Sequence, residues 1–191
     1  MITLIIVDPQ YDFIEGGKLP VKGGRKALEN VAELIRSGEV GRVIITKDWH
    51  PADHSSFTDF GGEFPEHCVQ LSHGSMVHSS ILKAIKEKSI YRETIHKGKE
   101  PGIEEFTAFK NDVITYYDHV AILNTDDDYT LFSYREEVVI CGIAGDICVL
   151  NTIQALYPYI QLKIFKKGIA SLDGGSTLNK FIIDTDIEVY E

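Results

Sequence analysis

The chain is short of several things that would otherwise dominate a first reading. Cysteine occurs only three times in 191 residues, at Cys68, Cys141 and Cys148. An odd, widely spaced set offers no disulfide framework and fits a reducing, cytoplasmic setting. Positive charge is also scarce: 19 lysines and arginines face 29 acidic residues, for a formal net charge of −10. That sign argues against nucleic acid or an anionic membrane surface as a partner. No apolar run approaches the ~18 residues of a spanning helix. No basic, cleavable leader precedes the first apolar run, so no targeting segment is expected. Repeats and low-complexity tracts are missing too. With 43% hydrophobic and 25% charged residues the composition is ordinary for a globular protein. At this length residues 1–191 are expected to form one domain, with a core that needs no covalent staples.

What is present is a series of short β-branched runs, at 3–7, 42–47, 90–95, 137–141 and 162–165. Most are too brief for helices and are rich in Ile and Val, as strands buried on both faces are. Between them Leu28, Val31, Ala32 and Ile35 recur at helical spacing, and Gly38 stands where a C-terminal cap belongs. Val77, Ile81 and Ile85 mark a second stripe. Ile147, Leu150, Ile153 and Tyr157 mark a third, which Pro158 cannot continue. Strands alternating with helices predict βαβ units around a parallel sheet. Residues 48–78 and 97–128 lack a period, and long ordered loops of this kind are more often functional than decorative. The acidic run at 126–128 reads as the start of a short helix on a solvated face.

Unusual polar residues fall just past the apolar runs. Asp8 follows Leu-Ile-Ile-Val, Asp48 and His50 follow Val-Ile-Ile-Thr-Lys, Lys97 closes the 90–95 run, and Cys148 follows Val-Val-Ile-Cys-Gly. In a parallel sheet these carboxyl ends share one edge, where open α/β folds bind ligands. Five of the seven histidines lie between positions 50 and 78. Asp48 and His50 are two apart, His54 sits one turn on, and His67 returns from the far end of the loop. One carboxylate and three imidazoles suit zinc, iron(II) or manganese, and the lack of thiolate disfavours a closed structural zinc site. His73 and His78 have no such spacing partners, and Asp53 reads as a turn residue.

Cys148 lies in Gly142-Ile-Ala144-Gly145-Asp146-Ile147-Cys148, a strand, a small-residue turn and a helix start. A thiol in a first helical turn feels the positive end of the helix dipole, which lowers its pKa. Free backbone N–H groups in such a turn can also face a developing oxyanion. On residues alone Cys148 is either a nucleophile or a buried, inert thiol, whereas Cys141, inside its apolar run, is the latter. Asp8 and Lys97 on neighbouring strand ends can supply a proton acceptor and a cation for the sulfur. His96, next to Lys97, is turned to the opposite face by strand alternation.

Together, Val7-Asp8-Pro-Gln10-Tyr-Asp12-Phe13, Lys47-Asp48-Trp-His50 with His54, Phe64-Pro-Glu-His67-Cys68, Lys97-Gly98 and Gly142-Ile-Ala-Gly-Asp-Ile-Cys148 resemble the nicotinamidase (pyrazinamidase) branch of the isochorismatase-like cysteine hydrolases. The resemblance implies a three-layer α/β/α fold around a six-stranded parallel sheet. It implies hydrolysis of nicotinamide, a small-molecule substrate, to nicotinate and ammonia, within pyridine-nucleotide salvage. By the same resemblance Cys148 is the nucleophile, Asp8 the general base and then acid, and Lys97 the cation that holds the thiolate. The N–H groups of Ala144 and Cys148 form the oxyanion hole, beside a cis peptide between Ile143 and Ala144. Asp48, His50, His54 and His67 bind one divalent metal, zinc first and iron or manganese otherwise, which takes the pyridine nitrogen. Phe13 and Phe64 flank the ring. Phe64 stands where many relatives carry Trp, and Glu-Glu-Phe106-Thr107-Ala-Phe109 replaces a more usual Tyr-Ser-Ala-Phe. Two alternatives remain at this stage: an amidase of the same superfamily acting on a carbamoyl or ureido compound, or a non-catalytic metal- or ligand-binding module. A homo-oligomer is left open.

Overall fold

The computed structural model describes residues 1–117, 120–125, 129–133 and 135–191, so the short helix expected at 126–128 lies outside the described residues. Five apolar runs become parallel strands: β1 (Ile2–Val7), β2 (Val40–Asp48), β3 (Tyr91–Lys97), β7 (Val138–Ile143) and β8 (Leu162–Ala170). With the short β9 (Glu188–Val189) they form a six-stranded sheet of order β3-β2-β1-β7-β8-β9. All its pairings are parallel. The register aligns Ile5 with both Ile44 and Ile140.

Because successive strand residues point to opposite faces, one sheet feeds two cores. Leu4, Ile6, Val43, Ile45, Val139 and Cys141 pack on one side, against α1 (Gly24–Ser37) and α2 (Ser79–Lys88). Ile5, Val7, Ile44, Val138 and Ile140 pack on the other, against α3 (Leu150–Leu156) and Leu178 of α4 (Ser176–Thr185). The result is the expected three-layer α/β/α arrangement. Each fully buried Ile or Leu contributes about 1.5–3 kcal/mol, so these two faces are the main source of stability. Helix α1 follows its stripe and ends at Gly38, whose φ of 93° is the left-handed cap expected there.

The sequence pattern predicts neither the short β9 nor three further strands. β4 (Phe109–Tyr117), β5 (Val120–Thr125) and β6 (Tyr129–Ser133) form a separate antiparallel sheet. Its Phe109, Ala121, Leu123 and Phe132 join the second core. Arg42 of β2 ties this sheet down, donating to Leu131 O at 2.7 Å and to Thr130 Oγ1 at 2.8 Å while pairing with Glu93 at 2.7 Å.

Candidate active site

The carboxyl ends of β1, β2, β3 and β7 meet at one edge of the large sheet. Asp8 follows β1 with φ +48°, a left-handed geometry that Asp tolerates better than branched residues. Asp48 and Lys97 close β2 and β3 as direct register partners. Near the end of β7 Gly142 pairs with Val7; its φ is 128° and a Cβ there would lie 2.1 Å from Val7 O. Only glycine lets β7 pass β1 so closely. A wide π-type turn at Gly145–Val149 then carries Cys148 over the strand ends.

These ends place Lys97 among three partners. Its Nζ lies 2.9 Å from Asp8 Oδ2, pairs with Asp48 Oδ1, and approaches Cys148 Sγ at 3.6 Å. Lys97 and Asp8 are fully buried. A carboxylate oxygen of Asp8, one of Asp48 and the Cys148 sulfur all lie within 4.8 Å of one another. One ammonium therefore serves three groups that each gain from ionising. Burial alone would push the Lys97 pKa down, but Asp48 and Asp8 outweigh it and hold Lys97 well above its ordinary range. Burial raises Asp8, with Lys97 opposing and Asp48 adding to the rise. Burial works against Asp48 ionisation too, yet Lys97, His50 and His67 together leave its carboxyl below the usual range.

The helix-dipole expectation for Cys148 is corrected. Burial pushes its thiol well above the ordinary value; Lys97 opposes this, while Asp8 and Asp48 add to it. The sulfur is desolvated and lies close to two carboxylates as well as to the ammonium. Cys141 is buried too, and burial alone raises its thiol well above the ordinary value, as an inert core thiol should be.

Of the four residues read as metal ligands, three converge: atoms of Asp48, His50 and His67 lie within 4.8 Å of one another. The Nε2 atoms of His50 and His67 face Asp48 Oδ2 at 3.5 and 3.8 Å. Their Nδ1 atoms are engaged by backbone carbonyls, His50 with Gly98 O at 2.9 Å and His67 with Pro65 O at 2.8 Å. An N–H donated from Nδ1 leaves an Nε2 lone pair free to coordinate, so this donor set fits a divalent ion. His54 does not join it here. Its ring lies 4.1 Å from that of His50, but Nδ1 meets Ser56 Oγ at 2.7 Å and Nε2 meets Ile103 O at 3.0 Å.

A pocket opens onto these groups. Asp48, His67, Lys97 and Cys148 line it together with Phe13, Phe64, Phe106, Ala144 and Leu172. The peptide between Ile143 and Ala144 is cis, as the resemblance implies. Both aromatic side chains expected at the pocket, Phe13 and Phe64, are therefore in its wall; each also contacts the His67 ring, at 5.6 and 5.9 Å.

Four supporting residues escaped the sequence reading. Gln10 is fully buried and brackets Asp48: its Nε2 donates to Asp48 O at 2.8 Å and its Oε1 accepts from Asp48 N at 2.8 Å. Thr46 donates to Asp8 Oδ1 at 2.7 Å. Asp12 accepts from Cys68 N at 2.7 Å and Lys18 N at 3.1 Å, pinning the loop that carries Phe13. Glu105 lines the pocket and accepts from Gly98 N at 2.9 Å. Gln10 and Asp12 stand in the first motif of the resemblance, and Thr46 is a hydroxyl directly after the apolar stretch 43–45 of β2; Glu105 carried no such signal.

Comparison with known proteins adds an independent line. Residues 3–158 match the isochorismatase domain. The nicotinamidase of Escherichia coli (strain K12) is 31% identical over 171 residues, covering 79% of this chain and 74% of that protein. The structure of PnC1 from L. infantum in complex with nicotinate covers 99% of this chain and 91% of its own, at 27% identity and a TM-score of 0.76. The pyrazinamidase of Pyrococcus horikoshii in complex with zinc covers 99% and 98%, at 26% identity and a TM-score of 0.73.

Proposed function

The chain belongs to the isochorismatase family, and from that membership we propose that it is a cysteine amidohydrolase that converts nicotinamide to nicotinate and ammonia, and acts on pyrazinamide by the same route. The observation that carries this reading is the opening of one small pocket onto both a Cys–Lys–Asp cluster and an Asp–His–His donor set. Nothing in the chemistry of a carbamoyl or ureido substrate calls for the second of these.

In the proposed mechanism Cys148 is the nucleophile. Its proton passes to Asp8 as sulfur adds to the amide carbon, and Lys97, 3.6 Å from the sulfur, stabilises the charge that develops there. The N–H groups of Ala144 and Cys148 receive the oxyanion, each such donor typically contributing ~2.7–4 kcal/mol. Asp8 returns the proton to the departing ammonia, leaving a thioester on Cys148. Asp8 then takes a proton from water as the water attacks the thioester; the C–S bond breaks, nicotinate leaves, and Asp8 returns that proton to the Cys148 sulfur. The high thiol pKa suits this order, because the proton moves only when the substrate offers a developing charge in exchange. A divalent ion at Asp48, His50 and His67, zinc first among the candidates, would supply a Lewis-acid anchor for the ring nitrogen. In this reading His54 supports the ring of His50. Phe13 and Phe64 sandwich the substrate ring.

In this reading residues 1–191 form one domain. Among the described residues no helix is long and apolar enough to cross a membrane. All three cysteines are free and buried, which supports a reducing, cytoplasmic location. The test is ammonia and nicotinate production by the purified protein, with elemental analysis of the same sample. Turnover with a near-stoichiometric divalent metal is expected; no turnover of either nicotinamide or pyrazinamide would overturn the reading.

A further inference from the structure

The loop after β3 holds the backs of two histidines. Lys97 O accepts from Trp49 N at 3.0 Å, and Pro101 O accepts from Ser55 N at 2.7 Å. In the same loop Gly98 O meets His50 Nδ1 at 2.9 Å and Ile103 O meets His54 Nε2 at 3.0 Å. Gly98 packs directly against the His50 ring. Its φ is +61°, and a Cβ there would lie 2.4 Å from His50 Cε1. A residue with no side chain must be held by its backbone, and the anchor is the Glu105 carboxylate, which accepts Gly98 N–H at 2.9 Å. A charged acceptor makes that bond stronger than a neutral one would. His67 needs no such help, because Pro65 two positions away in its own loop supplies its carbonyl.

We propose that Glu105 is a positioning residue for the metal centre, fixing Gly98 so that the Gly98 carbonyl sets the tautomer and aim of the His50 ring. The inference rests on the reading of Asp48, His50 and His67 as metal ligands. Glu105 touches no ligand directly. It acts through one residue, on one of the two imidazoles, and from the wall of the pocket in which the substrate sits. Glu105 thus links the pocket wall to the back of His50, the one ligand of the three that does not itself line the pocket.

The test compares Glu105→Ala and Glu105→Gln with the unmodified protein. Three quantities are read: zinc affinity by chelator competition, the visible spectrum of the cobalt-substituted protein, and the melting temperature of the metal-free form. Glu105→Ala is expected to weaken zinc binding roughly 10–100-fold and to alter the cobalt spectrum, with the metal-free melting temperature unchanged. Glu105→Gln keeps an oxygen acceptor for Gly98 N–H and is expected to restore both affinity and spectrum. An alanine variant with unaltered affinity and spectrum overturns the proposal. So does a glutamine variant as impaired as alanine, or a loss of affinity that merely follows a lower metal-free melting temperature. If the unmodified protein itself takes up neither zinc nor cobalt, the metal-centre reading fails first, and that result is visible before any substitution is made.

Discussion

The residue on which the proposed chemistry turns is Cys148, and its surroundings make a definite demand. Its sulfur is buried beside one ammonium that two carboxylates also claim. Cys148→Ala is expected to reduce ammonia release to background while bound metal stays near stoichiometric, because Asp48, His50 and His67 do not depend on the sulfur. His50→Ala should lower metal content and substrate affinity together; unchanged affinity for nicotinamide in the metal-free variant would remove the ring-anchoring role. Thr46 permits a sharper test through pH. Burial raises the Asp8 pKa, and the Thr46 hydrogen bond pulls it partly back. Thr46→Val removes that stabilisation of the ionised carboxylate, so Asp8 rises further and the base is lost at a higher pH. The acid limb of kcat/KM against pH is therefore expected to move upward, while the variant loses about 1–3 kcal/mol of stability from the unsatisfied carboxylate oxygen. A limb that stays in place would show that another group sets it.

Among the elements, the five β-branched runs and the three apolar stripes were legible because burial on both sheet faces and on one helix face leaves a periodic trace. The site residues at strand ends were legible for a related reason: Asp8 and Asp48 are polar stops after apolar runs, and Lys97 closes the weaker, mixed run at 90–95. The β4–β6 sheet was not. Its strands lie in an acidic stretch with no clear period, and they pack one face on the second core. Helix α4 was missed because it buries only Leu178, too little to leave a stripe. What starts α4 is Asp173, whose carboxylate accepts from Gly175 N at 2.7 Å, Thr177 N at 2.8 Å and Ser176 Oγ at 2.7 Å. These bonds hold the Asp173 pKa far below the usual range. Its stabilisation is thus complete above the unfolded carboxylate pKa and is lost only as pH falls through the lower folded value. Asp173→Ala is expected to lower the melting temperature at neutral pH, with the difference from the unmodified protein shrinking in strong acid. A difference that grows on acidification would contradict the capping role.

For the whole molecule, the proposed ion and the fold are thermodynamically linked. A metal that binds only the folded chain stabilises it by mass action, about 2.7 kcal/mol when present at a hundred times its dissociation constant. Removing it with a chelator should lower the melting temperature and abolish turnover, and both should return on adding zinc; restored stability without turnover would separate the ion from the chemistry. The large sheet has a further consequence. Its four contributing strand ends bring together positions 8, 48, 97 and 148, and no fragment that lacks one of β1, β2, β3 and β7 can complete the cluster. A nascent or half-denatured chain therefore presents neither the charge balance nor the cavity of the finished enzyme. Hydrolysis rate per mole of chain then counts correctly assembled molecules, which turns a simple ammonia assay into a gauge of refolding yield.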